Sequence, residues 1–166
     1  MATKASFTAE EWKQLLESPM LASMAVTAAE PSGLWGMLQE SLAAGGMLAK
    51  AKADAGTNEL IRAVVADFGT AEGRAAARDG LQARFKGSRP AEAKDKAIDG
   101  LRQVAALVDA KAPGDAAAFK SWLQSIGQHV AEAAKEGGFL GFGGVQVSEA
   151  EKATLAEIRA ALRLQA

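Results

Sequence analysis

The chain has 166 residues, 39 of them alanine, with a net charge of −1 and no cysteine. Alanine is the strongest helix former and strands are poor in it, so one domain's worth of this composition predicts an all-α fold with a single core. Disulfides, thiolate nucleophiles and zinc–thiolate centres are excluded, the lone His129 rules out a two-imidazole metal site, and the balanced charge is no signature of nucleic-acid binding.

Residues 1–7 are polar and lack an apolar run, so they read as a flexible N-terminal segment ahead of one helical domain over 8–166, and not as a secretory signal. No stretch approaches the length of a membrane span, and a cytoplasmic location is the default expectation. Thr8-Ala-Glu-Glu11 is a capping box, opening a short helix with Trp12, Leu15 and Leu16 on its buried side. Ser18-Pro19 predicts a restart, because proline suits the first helical position; Leu21, Met24, Ala25 and Ala28 follow at helical spacing. Glu30-Pro31-Ser32-Gly33 breaks that second helix, and Ser32 caps a third carrying Leu34, Trp35, Leu38 and Leu42.

Thr57 is expected to cap a helix with Leu60, Ile61, Val64 and Phe68 on one face, followed by a thinner apolar stripe from Thr70 to Phe85. Gly87-Ser-Arg-Pro90 reads as a turn. Ile98, Leu101, Val104, Ala105 and Val108 then form a strong 3.6-residue pattern. Pro113-Gly-Asp115 separates it from a helix with Phe119, Trp122, Leu123, Ile126 and Val130, and Ser148-Glu-Ala-Glu151 is a second capping box, before Leu155, Ile158 and Leu162. Only Val145-Gln-Val147 could be extended. Each helix is one-sided and unstable alone in water, so the seven or eight helices must pack as one compact bundle.

Ala28-Ala-Glu-Pro-Ser-Gly-Leu-Trp-Gly36 and Ala133-Ala-Lys-Glu-Gly-Gly-Phe-Leu-Gly141 echo one another. Two helical hairpins related by approximate twofold symmetry would leave such an echo, and so would the ordinary preference of alanine-rich helices to end in glycine. The pattern resembles the tellurium-resistance TerB family, all-helical proteins with a duplicated motif of alanine-rich helix, acidic turn and Glu-containing helix start. Val130–Gly137 with Ser148–Leu162 is similar to a second copy of that motif, Ala25–Glu30 to part of a first, and Leu60–Phe68 to a middle helix. The resemblance implies a helical fold and a stress-associated role. The turns depart from the family's Asp-rich pattern: Glu30 precedes Pro31, Glu136 stands where Asp is expected, and residues 138–147 are inserted.

Glu136, Glu149 and Glu151 flank that insertion and could contribute to a divalent-metal site, although a hard cation needs about six or more oxygens. Capping and solvation of acids at a helix start account for the same residues. The glycine-rich Gly137–Gly144 stretch lacks the glycine order, preceding strand and Lys-Ser/Thr of a phosphate loop. It carries Phe139, Leu140 and Phe142, which either fold back as a core plug or dock on a partner or lipid. His129 has no Ser, Asp or second His at catalytic spacing, and no paired carboxylates can be named, so no enzyme activity and no cofactor are expected. Between Gly73 and Lys96, seven basic residues face three acidic ones. A solvated helical surface explains that excess, as does an approach to an acidic partner. The expected function is a non-enzymatic, protein-binding helical protein; the alternative is a small-ligand or divalent-metal-binding protein using the acids around 137–147.

Overall fold

The computed structural model describes residues 2–29, 58–136 and 147–164. Their regular structure is entirely helical: a 3-10 turn (Lys4–Ser6), then α1 (Ala9–Ala28), α2 (Glu59–Phe68), α3 (Ala71–Phe85), α4 (Pro90–Lys111), α5 (Pro113–Glu136) and α6 (Glu149–Ala161). Six α-helices lie among the described residues, and the expected seven or eight include one that falls outside them. The helix expected after Ser32 lies outside those residues, as does most of the Ala28–Gly36 and Ala133–Gly141 echo.

The expected break at Pro19 does not occur, and this is a correction: α1 is one 20-residue helix that runs through it. Proline has no N–H for the Leu15 carbonyl, four residues back. The Ser18 hydroxyl supplies the missing donor, at 2.7 Å from Leu15 O. Further along, Ser23 Oγ donates to Pro19 O at 3.1 Å and Thr27 Oγ1 to Ser23 O at 3.0 Å. All three hydroxyl residues are buried, so local bonds to backbone carbonyls satisfy them without water.

The remaining boundaries follow local chemistry. Thr8 accepts from Glu11 N at 3.3 Å while Glu11 Oε2 accepts from Thr8 N at 2.7 Å. Asn58, rather than the expected Thr57, caps α2, its Oδ1 accepting from Ile61 N at 3.0 Å. Thr70 Oγ1 accepts from Gly73 N at 2.9 Å and starts α3 directly after α2. Pro90 and Pro113 occupy first helical positions, where a missing N–H is harmless.

Helix α1 packs against each of the other five helices, most extensively against α4, then α5 and α3. The apolar stripes meet around it: Leu15, Leu16 and Leu21 from α1, Leu101 and Val104 from α4, Phe119 and Leu123 from α5, and Ile158 from α6 are essentially inaccessible. Phe119 and Trp122 pack edge-on with ring centroids 5.3 Å apart. Residues 2–7 also join this packing. Ala2 and Phe7 are buried, and the Phe7 ring lies 5.9 Å from that of Trp12. The division at residue 8 therefore marks where α-helix begins, not where the core ends.

Candidate functional site

The two predicted acids of α6 are engaged locally. Glu149 is exposed and pairs with Lys152 at 2.7 Å. Glu151 is buried, its Oε2 accepting from Ser148 N at 2.8 Å while Ser148 Oγ accepts from Glu151 N at 3.1 Å. Glu136 is the last residue of α5; its carboxylate, like Phe139, Leu140 and Phe142, lies outside what the structure describes. Among the described residues no group of three or more His, Asp or Glu side chains converges on a metal-sized position.

The basic stretch from Gly73 to Lys96 spans α3 and the start of α4, and several of its charges are held in local or inter-helix bonds. Arg74 donates to Gly69 O at 2.7 Å, Arg89 pairs with Glu92 at 2.9 Å, Lys94 reaches Glu157 of α6 at 2.9 Å, and Lys96 donates to Ser88 Oγ at 2.5 Å. These bonds support the solvated, structural explanation of the charge excess. His129 is half-buried on α5.

Two buried or half-buried aspartates fasten the N-terminal segment. Asp67 Oδ2 accepts from Trp12 Nε1 at 2.6 Å and from Lys4 Nζ at 2.8 Å. Burial acts to raise its carboxyl, but the bonds from Lys4 and Trp12 and the Lys4 charge outweigh that and hold it below the usual aspartate range. Asp115 accepts from Ala2 N at 2.8 Å and from Asn58 Nδ2 at 3.0 Å, joining the N-terminal segment, the α2 cap and the first turn of α5. A cleft of about 320 Å³ lies beside it, with Ser6, Lys111 and Gly114 in its wall. Lys111 is committed across that surface to Glu11, at 2.6 Å.

The most unusual arrangement is an ion pair between α1 and α3. Glu17 and Arg84 are mostly inaccessible, with side chains 5% and 17% exposed, and Arg84 Nε donates to Glu17 Oε2 at 3.2 Å. Arg84 Nη1 continues to Gln103 Oε1 of α4 at 3.1 Å, so one guanidinium joins three helices. Gly80 makes the arrangement possible: a Cβ at that position would stand 1.8 Å from Glu17 Oε1. The pair floors a cleft of about 250 Å³ whose rim carries Glu10, Lys13 and Gln14. Sequence reading missed this site. The available signal was a polar stripe at 10, 13, 14 and 17, the same i, i+3, i+4, i+7 spacing that marks a helix face, together with glycines at 73 and 80 in α3.

Burial pushes the Glu17 carboxyl above the usual glutamate range, and the attraction of Arg84 only partly offsets it. A carboxyl whose folded value exceeds its unfolded one contributes stability that is complete below the unfolded value and is lost as pH rises through the folded one. Glu17→Gln removes that dependence. Melting curves from about pH 4 to about pH 7 are expected to show the variant gaining on the parent chain as pH rises through the Glu17 range. A gap that widens against the variant over that interval would contradict this sign.

Comparison of the chain with protein-family models, with curated proteins and with solved structures gives no match.

Proposed function

We propose that this chain is a non-enzymatic, TerB-like helical protein of the cytoplasm, with a stress-associated role, that acts by binding a protein partner through Phe139, Leu140 and Phe142. The observation that supports this reading is the anchoring of the two helices on either side of these residues. Helix α5 carries Phe119, Trp122, Leu123, Ile126 and Val130 into the core. Helix α6 begins on the Ser148–Glu151 capping box, with Val147 just before it packed against the core. In sequence, Phe139, Leu140 and Phe142 lie between these two core-anchored helices, and the acids Glu149 and Glu151 of α6 are occupied in an ion pair and a cap. The many titratable groups tied into inter-helix bonds, Glu17, Asp67, Asp115 and Arg84 among them, favour a structural over a catalytic use of the charged residues.

The test is the double variant Phe139→Ser/Phe142→Ser. Under this reading its melting temperature stays that of the parent chain, while affinity for a partner captured from the source cell and then purified falls at least about tenfold, or about 1.4 kcal/mol. Destabilisation by several kcal/mol, on the scale of lost aromatic burial, would instead assign the two rings to the core. Melting with EDTA, calcium or magnesium addresses the alternative metal reading, since a cation that binds the native state raises the melting temperature by mass action.

A further inference from the structure

We propose that the Met1–Ala2 peptide bond is a processing site, and that its hydrolysis leaves an Ala2 α-ammonium paired with the buried carboxylate of Asp115. Ala2 N already donates to Asp115 Oδ2 at 2.8 Å, and both residues are buried. The other oxygen, Oδ1, accepts from Asn58 Nδ2 at 3.0 Å. Both donors are neutral, whereas a buried carboxylate is ordinarily balanced by a cation. Glu17 has Arg84 and Asp67 has Lys4, but among the described residues no cation pairs with Asp115. Lys111, in the wall of the adjoining cleft, is engaged by Glu11 at 2.6 Å. The first turn of α5, where Asp115 sits, offers only the partial positive charge of a helix start.

Hydrolysis supplies the missing cation at an atom already in place. Water adds across the bond: the Met1 carbonyl carbon takes the hydroxyl and departs as a carboxylate, while Ala2 N keeps its bond to Cα and becomes an amine that is protonated below about pH 8. The neutral N–H···O bond to Asp115 thereby becomes a charge-assisted one, about twice as strong. The nitrogen needs no new position, because its placement is set further along the chain. Thr3 N donates to Ser6 Oγ at 3.2 Å, Lys4 pairs with Asp67 at 2.8 Å, and the Phe7 ring lies against Trp12. None of these contacts involves Met1. Ala2 itself lines the cleft of about 320 Å³, so the remaining ammonium hydrogens can reach solvent. Aminopeptidases that remove methionine require a small following residue, which alanine provides, and they act on the emerging chain, before folding buries Ala2. An endopeptidase cut at the same bond has the same outcome, so nothing here depends on what precedes Met1 or on the Phe139–Phe142 surface.

The experiment compares three forms: the chain beginning at Met1, the chain released from a cleavable fusion so that it begins at Ala2, and an enzymatically N-acetylated version of the latter, which keeps the N–H but not the charge. At about pH 6, below the ordinary α-amino range, the free Ala2 form is expected to melt about 3 °C or more above the other two. Asp115→Asn keeps the size of the side chain and removes its charge, and in that background the three forms are expected to melt together. The intact mass of the chain isolated from its source cell is expected to show Ala2 first, with an unmodified amine. Retention of Met1, an acetylated Ala2, equal melting of the three forms, or an Ala2 advantage that survives Asp115→Asn overturns the assignment. Should Asp115→Asn fail to fold, the acetylated form decides, since it removes the ammonium charge and leaves every side chain in place.

Discussion

Gly73→Ala is expected to destabilise the protein by about 3 kcal/mol, although alanine is intrinsically the better helix residue by about 1 kcal/mol. Gly73 lies in the first turn of α3, where that helix turns back on the end of α2. A Cβ there would stand 2.0 Å from the Asp67 carbonyl oxygen, 2.5 Å from its carbon and 3.1 Å from Phe68 N. These are backbone atoms, and they are held: Thr70 Oγ1 donates to the same Asp67 carbonyl at 2.7 Å, while Trp12 and Lys4 grip the Asp67 side chain. The strain cannot be relieved by turning a rotamer, so the clash outweighs the propensity gain. Urea unfolding reads the effect as a lower midpoint at unchanged slope. Gly114, in the first turn of α5, has no atom within 4 Å of its Cβ position and provides the matched control, in which alanine is tolerated. Equal midpoints for Gly73→Ala and the parent chain would show that the α2–α3 junction yields.

Phe119→Ala is expected to cost about 3–5 kcal/mol, the largest loss of any single side chain named here. The ring is fully buried and meets Trp122 edge-on at a centroid distance of 5.3 Å. Truncation loses the transfer term, leaves a cavity bounded by close-packed helices, and removes an aromatic pair worth about 0.5–1.5 kcal/mol beyond its area. Trp122 is poorly placed to compensate: its Nε1–H is buried and has no hydrogen-bond partner among the described residues. Equilibrium unfolding followed by Trp fluorescence measures the loss; a change below about 1 kcal/mol would mean that the core collapses around the vacancy.

What the sequence makes legible here is the chemistry that acts over one or two turns. The Thr8 and Ser148 capping boxes open helices where expected, and the apolar stripes at 60–68, 98–108, 119–130 and 155–162 face the core. Pro19 shows the limit of such local signals. A serine followed by proline is equally compatible with a helix start and with an interior proline whose lost bond the serine replaces, and burial of the whole face decides for the second. Thr57 and Asn58 are both competent caps, and only the geometry at Ile61 selects Asn58. Contacts between distant positions have no periodicity to betray them. Glu17 and Arg84 are 67 positions apart, Lys4 and Asp67 63, and Ala2 and Asp115 113. The α1–α3 cleft was hidden for that reason, while Glu149 and Glu151, conspicuous as acids, serve the helix that bears them. The TerB resemblance rests on helix-level patterns of this local kind.

The central position of α1 has a consequence for how the molecule can be divided. Since each of the other five described helices leans on that one rod, no hairpin cut from the described helices would carry an interior of its own. The described helices should therefore melt in one cooperative step rather than in halves, and a fragment lacking the first thirty or so residues should lose fixed tertiary structure.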